Sequence, residues 1–311
     1  MLLAVCAQAQ VAILSKGGKL SMFYGSQAFV DAYEMSGDGD VITLSAGMFQ
    51  AVDIQKAITV RGTGIALEGD GTISPTYISG GMEVELPESS DRQLSFEGLT
   101  FMETVRMLCV KDVIFQRCQF FSSIGDGGDP DHEERNKNFQ YTFMHCIFPD
   151  DSNTLNIGCG TISLINSVVP SLAMGGYRYQ SFNITNCIVK EASYLYNCNF
   201  NNSIILCEMG YGIRDSCVGT NCIVAGKDVG FKFGTNITYV DSSEGLFKEG
   251  TFYELAGQTA EILGTDGKQL GIYGGNFPFE AASSGPKVKK FDVSSKTTAD
   301  GKLSVDIEIA E

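Results

Sequence analysis

Short runs of alternating apolar and polar residues, separated by turn residues, occupy most of the chain from residue 41 onward. One five-residue pattern recurs seven times, as EGLTF (97–101), QRCQF (116–120), MHCIF (144–148), INSVV (165–169), TNCIV (185–189), NNSII (201–205) and TNCIV (220–224). The third positions of successive copies are 19, 28, 21, 20, 16 and 19 residues apart. A period of about 20 residues around a short β-prone unit is typical of a solenoid of stacked β-coils.

Each position of the pattern has its own chemistry. The third position is Leu99 in the first copy and a small residue in the other six, which predicts an inward slot: Cys118, Cys146, Ser167, Cys187, Ser203 and Cys222. The fifth is always apolar and predicts an inward stack. The second becomes asparagine in the last four copies, which predicts a ladder of amides that hydrogen-bond from coil to coil: Asn166, Asn186, Asn202 and Asn221.

The two ends of the chain depart from this pattern. Ser26 is a candidate cap for a short helix with Ala28, Phe29, Ala32 and Tyr33 on its apolar side. We expect this helix to cover the first open β-edge of the solenoid. Residues 285–311 alternate apolar and polar residues and predict a hairpin between 288–293 and 303–309, with a turn at Asp300-Gly301.

Residues 26–64 (SQAFVDAYEMSGDGDVITLSAGMFQAVDIQKAITVRGTG) resemble the opening of pectate-lyase-like, right-handed parallel β-helix proteins. Residues 252–279 (FYELAGQTAEILGTDGKQLGIYGGNFPF) are similar to the closing segment of secreted β-helix proteins from Bacteroidetes-type bacteria. From these resemblances and the repeat period, we predict an all-β fold. It is a single-stranded right-handed parallel β-helix of about ten coils, with a helical N-terminal cap and a C-terminal β-segment. The predicted division is a partial signal peptide at 1–9, the β-helix at 10–284 and a C-terminal hairpin extension at 285–311.

Composition narrows the classes of partner. The 311 residues carry a formal net charge of −15, which disfavours nucleic acid and anionic lipid as ligands. No apolar stretch is long enough for a transmembrane helix. We expect a monomer.

The first ten residues, MLLAVCAQAQ, match the end of a secretory signal with a cleavage site at Ala7-Gln8-Ala9. The alternative is a degenerate lipobox that places a lipid anchor on Cys6. Both readings predict export, to the cell surface, the periplasm or the medium. The ten cysteines fit buried free thiols better than disulfides because four of them alternate with serine at one repeat position. Cys118 and Cys146 lie within disulfide reach if their coils stack.

The 28-residue step between Cys118 and Cys146 contains an acidic loop. Its carboxylates make a candidate Ca²⁺ site, since Ca²⁺ takes six to eight oxygen ligands: Asp126, Asp129, Asp131, Glu133 and Glu134. The spacing is not that of an EF-hand loop, and a solvated charged loop is the alternative.

A tyrosine-rich stretch supplies candidate ligand-binding residues. Exposed tyrosines beside a cation suit sugar rings and acidic glycans: Tyr177, Arg178, Tyr179, Lys190 and Tyr194. The alternative is that these aromatic residues fill the interior.

The motifs that the resemblance implies for catalysis are absent. The chain lacks the W-x-D-H and R-x-P-x-x-R motifs of pectate lyases and the N-T-D and G-H-G motifs of polygalacturonases. His145 occupies the ladder position, where stacking is the expected role, and Asp150-Asp151 reads as a turn.

We therefore expect an exported, non-catalytic protein of the cell surface that binds polysaccharide or serves adhesion. The alternative is a lyase or glycoside hydrolase for acidic polysaccharides with a divergent site. A cluster of basic and acidic residues on one outward face of adjacent coils favours this alternative.

Overall fold

The structure is a computed structural model of the 311-residue chain. It describes residues 10–67, 73–87, 89–125, 138–149, 155–157, 159–173, 179–193, 197–207, 213, 216–226, 231–283, 287–293 and 305–310. The acidic loop with all five candidate Ca²⁺ ligands lies outside these residues. So do Cys6, Tyr177, Arg178, Tyr194 and the Asp150-Asp151 pair.

The chain is dominated by β-strands, most of which pair in parallel in three stacks. The first stack contains β3 (Val41–Leu44), β5 (Thr59–Arg61), β8 (Leu94–Glu97), β11 (Asp112–Gln116), β14 (Gln140–Met144), β16 (Cys159–Ile165), β18 (Tyr179–Thr185), β20 (Cys198–Asn201), β22 (Val218–Ala225) and β23 (Phe233–Val240). The second contains β4 (Gly47–Gln50), β6 (Thr76–Ser79), β9 (Leu99–Phe101), β12 (Gln119–Phe120), β17 (Val168–Ala173), β19 (Ile188–Ser193) and β21 (Ile204–Leu206). The third contains β7 (Met82–Glu85), β10 (Val105–Cys109), β13 (Ile124–Gly125) and β15 (Leu155–Asn156).

Successive strands of the chain enter successive stacks. β8, β9 and β10 pair in parallel with β11, β12 and β13, one pair in each stack. Ile147 bridges Gln119 and Val168, so the second stack continues from β12 to β17. β22 pairs with both β20 and β21 and thereby joins the first two stacks. The predicted all-β class with stacked parallel strands is confirmed.

The interior follows the positions of the repeat. All seven third positions, from Leu99 to Cys222, are buried, and so are all seven fifth positions, from Phe101 to Val224. The rings of Phe101, Phe120 and Phe148 stack with centroids 5.2 and 4.8 Å apart. Each such offset stack adds about 0.5–1.5 kcal/mol beyond area burial. Eight cysteines of the described residues are buried, reduced thiols: Cys109, Cys118, Cys146, Cys187, Cys198, Cys207, Cys217 and Cys222.

The second position of the repeat forms the bend between the first and second stacks. The residue at this position has a left-handed backbone in every copy, with φ between 45° and 65°. We call the residues at this position the bend row: Gly98, Arg117, His145, Asn166, Asn186, Asn202, Asn221 and Asn236. Glycine and asparagine tolerate this region best, which explains the four asparagines. Asn236 belongs to an eighth copy, residues 235–239, which pairs in register with the seventh.

The N-terminal end differs in part from the prediction. The helix is present as α1 (Ala28–Met35), with Ala28, Phe29 and Ala32 buried, but its N-cap is Gln27 and no side chain caps it. The edge of β3 pairs with an antiparallel hairpin, β1 (Val11–Lys16) and β2 (Lys19–Tyr24), which the sequence did not reveal. The hairpin therefore covers the sheet edge that we assigned to the helix.

A C-terminal strap, residues 242–283, packs on the outer side of the second stack. It includes a short 3-10 helix, Gly257–Glu261. Leu246, Leu255, Leu270 and Ile272 form a second buried cluster with Val168, Ile188, Ile204 and Ile223, the outward fourth positions of the repeat. The burial of these outward residues explains why the fourth position changes from Thr100 and Gln119 to β-branched apolar residues.

The chain ends in an antiparallel pair, β24 (Lys287–Val293) and β25 (Val305–Ala310), as the alternation predicted. The turn at Asp300-Gly301 lies outside the described residues. The described part of the chain contains no helix with the length and apolar character that a membrane span requires.

Candidate functional site

The outer side of the first stack is rich in uncharged polar side chains from β14 to β22. Successive side chains of a strand point to opposite sides of the sheet. The residues next to the buried Phe143, Leu164, Ile184 and Phe200 in their own strands therefore face outward. Nine of the outward residues of β14 to β22 are Ser, Thr or Asn, and we call these nine the polar face: Thr142, Thr161, Ser163, Ser181, Thr185, Asn183, Asn199, Asn201 and Thr220. Gln140 and the apolar Met144, Ile165 and Val218 face outward on the same strands.

The polar face is ordered by parallel register. Thr142, Ser163, Asn183 and Asn199 stack directly on one another. Asn199 Nδ2 donates to Asn183 Oδ1 at 3.2 Å, and Ser181 Oγ donates to Thr161 Oγ1 at 3.4 Å. The side chains of Asn183, Asn199 and Asn201 are exposed. Neighbouring strands lie about 4.8 Å apart, so hydroxyls and amides repeat at about that interval across the strands.

The predicted tyrosine–cation set is only partly described. Tyr179 begins β18 in register with Cys159, on the strand that carries Ser181 and Asn183. Lys190 lies in β19 of the second stack, where its Nζ donates to the carbonyl of Pro149 at 3.3 Å. The described residues therefore do not bring Lys190 to the polar face.

Charged residues of adjacent strands form one cluster at the N-terminal part of the bend row. Arg61 Nε lies 3.4 Å from Glu97 Oε2, and Arg117 Nη1 lies 3.5 Å from Glu97 Oε1. Arg117 Nη2 lies 3.6 Å from Glu280 Oε2 of the C-terminal strap. Glu97 and Arg117 are only 5% and 8% exposed. Basic and acidic residues clustered on adjacent strands are the feature that would favour an enzyme. Here, however, the carboxylate of Glu97 and the guanidinium of Arg117 face each other beneath the C-terminal strap.

His145 lies next to this cluster and is buried. Its Nε2 lies 3.0 Å from the carbonyl of Phe277, so a neutral ring with the proton on Nε2 donates to it, and no described residue hydrogen-bonds Nδ1. Burial lowers the pKa of His145 below its ordinary 6.5, and Arg117 lowers it further, while the Phe277 carbonyl and Glu280 oppose this shift. A neutral, covered imidazole supports the predicted structural role.

The amides of the bend row bind the C-terminal strap. Asn166 Nδ2 donates to the carbonyls of Ile272 and Gly274 at 2.8 and 2.7 Å. Asn202 Oδ1 accepts from the backbone N–H of Thr265 at 3.1 Å. Only Asn236 Nδ2 and Asn221 Oδ1 bond from strand to strand among the described bend residues, at 2.9 Å. The predicted coil-to-coil ladder is therefore wrong for Asn166 and Asn202, because their side chains point outward to the C-terminal strap.

The closing motif of the sequence is explained by this packing. A Cβ on Gly274 would come within 3.0 Å of Asn186 Oδ1, and one on Gly275 within 2.4 Å of Asn186 Nδ2. Burial acts to raise the pKa of Asp266, but the backbone N–H groups of Lys268 and Gly275 bind its carboxylate and hold the pKa below the usual value. The motif T-D-G-K therefore forms a turn that fits the bend row.

No protein-family model, curated protein or solved structure matches the chain. The described residues contain no group of three or more His, Cys, Asp or Glu side chains placed to hold a metal ion. The five carboxylates of the candidate Ca²⁺ site lie outside them, so that prediction remains untested.

The sequence analysis missed two features of this region. Six residues of the polar face fall between the repeat copies, in segments such as 140–143 and 161–164 that share no residue at aligned positions, and Thr185, Asn201 and Thr220 are first positions of copies. Its signal was the alternation of Ser, Thr and Asn with large apolar residues before each copy. The packing of the C-terminal strap is indicated only weakly in the sequence, by the replacement of polar by apolar residues at the fourth position of the repeat.

Proposed function

We propose that the chain is an exported, non-catalytic protein with a right-handed parallel β-helix, related to the pectate-lyase-like group that it resembles, with its first coils capped in part by a helix. We propose that it acts at the cell surface, where it binds polysaccharide or mediates adhesion. It reaches the surface as a secreted protein, with or without a lipid anchor on Cys6. The binding surface is the polar face. It lies within one chain, so a monomer suffices for binding.

The observation that carries the proposal is the absence of charge on the polar face. Its nine side chains are hydroxyls and amides, which donate and accept hydrogen bonds as sugar hydroxyls do. An extended ligand that follows the stack meets equivalent groups on β14, β16, β18, β20 and β22. Because no cation lies among the nine residues, we propose a neutral glycan as the preferred ligand.

The alternative is a lyase or hydrolase for acidic polysaccharides. The Arg61–Glu97–Arg117 cluster favours it, since arginine beside a carboxylate serves charge stabilisation and proton transfer in such sites. Hydrolysis needs two carboxylates on either side of a glycosidic bond. The burial of Glu97 and Arg117 against each other and under the C-terminal strap argues for a structural role, and we rank this function second.

A glycan array tests the first proposal with three proteins. We expect the wild type and Asn156→Ala to bind the same neutral glycan, because Asn156 is an exposed amide in β15, outside the polar face. We expect the double variant Asn183→Ala/Asn199→Ala to lose roughly tenfold or more in affinity, the effect of one or two hydrogen bonds. Equal binding by all three proteins would contradict the proposed surface.

An ultraviolet assay for unsaturated uronate, with and without added Ca²⁺, tests the alternative. Turnover that Glu97→Gln abolishes in a folded variant would replace the non-catalytic proposal with a lyase. A release of reducing ends without ultraviolet absorption would indicate a hydrolase instead.

A further inference from the structure

Buried cysteines fall into two kinds according to the residues that stack on them. Cys187 lies between Ser167 and Ser203 in the third-position column, so both of its neighbours there are hydroxyls. Two pairs have thiols as direct neighbours instead. These are Cys118 with Cys146, and Cys198 with Cys217.

Cys198 and Cys217 face each other across neighbouring strands of the first stack. The register pairs Asn199 with Val218, which places the two preceding residues side by side. Their thiols hydrogen-bond each other, and both residues are 0% exposed. Neighbouring strands are about 4.8 Å apart, inside the range of Cα separations, about 4.4–6.8 Å, that a disulfide spans.

Cys118 and Cys146 have the same relationship at the bend into the second stack. The pairing of Gln119 with Ile147 fixes their register, and the N–H of Ile147 donates to the carbonyl of Cys118 at 3.0 Å. The two thiols are neighbours and fully buried, and each donates to a backbone carbonyl, Cys118 to that of Gln116 at 3.4 Å and Cys146 to that of Phe115 at 3.3 Å. The two pairs therefore present equivalent geometry at separate places in the fold.

We propose that Cys118–Cys146 and Cys198–Cys217 are sites of disulfide formation, made when the chain folds in the presence of a small-molecule disulfide such as oxidised glutathione. Each pair of thiols is oxidised to one disulfide with loss of two protons and two electrons. The S–S bond of the oxidant is reduced to two thiols. The biological occurrence of this reaction rests on the proposed export, since disulfides persist in oxidising compartments.

Burial determines when the reaction occurs. A thiolate is the attacking species, and burial raises the pKa of Cys146 well above its ordinary value. Fully buried thiols are also inaccessible to the oxidant. The bridges therefore form during folding, before the two stacks close over the sulfur atoms, and resist reduction afterwards. Each bridge closes a covalent loop in the chain, over residues 119–145 or 199–216.

Refolding of the full chain tests the proposal without reference to export. The reduced, unfolded protein is refolded in a glutathione redox buffer, quenched with iodoacetamide and mapped by mass spectrometry without reduction. We expect two bridged peptide pairs, each with a mass loss of two hydrogens, and carbamidomethyl groups on Cys187 and Cys222. Refolding in excess dithiothreitol provides the fully reduced reference.

Single serine variants distinguish specific pairing from random oxidation. We expect Cys198→Ser to lose only the Cys198–Cys217 bridge, and Cys187→Ser, the matched control, to lose neither. If a variant does not fold, the map of the wild-type protein decides. Free thiols at all four positions after refolding, or bridges that include Cys187, would overturn the proposal. Bridges in vitro together with free thiols in protein recovered from cells would support the proposal and contradict export.

Discussion

The side-chain amide of Asn166 donates to two carbonyls of the C-terminal strap, those of Ile272 and Gly274, at 2.8 and 2.7 Å. Asn166 also has a left-handed backbone, with φ of 45°. One residue thus turns the chain from the first stack to the second and binds a segment 108 residues away. The bend row is therefore a binding surface for the C-terminal strap as well as a series of turns.

Asn166→Ala removes both hydrogen bonds and puts a residue that tolerates the left-handed region less well than asparagine at this bend. We expect the free energy of unfolding to fall by about 1–3 kcal/mol for the unsatisfied buried carbonyls and by about 1–2 kcal/mol more for the backbone. Asn166→Gly loses only the hydrogen bonds, so the difference between the two variants in urea denaturation reports the backbone contribution. Asn236→Gly, at an exposed bend residue, is the control, and a loss as large as that of Asn166→Gly would contradict the assigned role.

Leu270→Ala opens a cavity between the C-terminal strap and the second stack. Leu270 is 0% exposed in the second cluster, and such truncations cost about 2–5 kcal/mol. We expect faster hydrogen exchange confined to residues 242–283, because the C-terminal strap can detach while the stacks remain folded. Leu263→Ala, in the same segment but 51% exposed, should leave exchange unchanged. Uniform acceleration through all three stacks would show that the C-terminal strap and the stacks unfold as one unit.

Stability should decrease below pH 6.5 because of His145. The folded state lowers the pKa of this imidazole from 6.5, so on acidification the unfolded chain takes up the proton first. The contribution of His145 is therefore complete above pH 6.5, declines below it, and levels off once the pH is below the folded pKa. His145→Asn retains a bend residue and an amide donor for Phe277, and should flatten this part of the stability profile in denaturant titrations. An unchanged pH slope in His145→Asn would assign the effect to other groups.

Native thiols should be inert to alkylation. Burial raises the pKa of Cys187 to about 12 and that of Cys222 to about 11, and the carbonyls of Thr185 and Thr220 accept from these thiols at 3.3 Å. At pH 8 we expect iodoacetamide to label neither residue within hours, and to label both in urea, as read by peptide mass spectrometry. Labelling of Cys187 in the native protein at the rate of a free thiol would contradict its buried position.

Several features of the fold were predictable because they repeat. A slot for cysteine or serine and an apolar stack each return at nearly constant spacing, so seven copies reinforce one interpretation. The eighth copy, residues 235–239, escaped because Ile237 and Tyr239 replace the small and aliphatic residues of the pattern. The β1–β2 hairpin was not predicted because the sequence analysis assigned no element to residues 10–25, although Gly17-Gly18 is a hairpin-turn signal.

The sequence by itself determined the all-β class and the inward third and fifth positions of the repeat, since these follow from local alternation and side-chain character. Only the tertiary structure decided what lies outside the stacks. The contact of His145 with Phe277 joins residues 132 positions apart and leaves no periodic trace. Likewise, the polar face exists only because parallel register aligns Ser163, Asn183 and Asn199 from strands of unrelated sequence. Hydrogen bonding between strands, and not similarity of the segments, creates that surface.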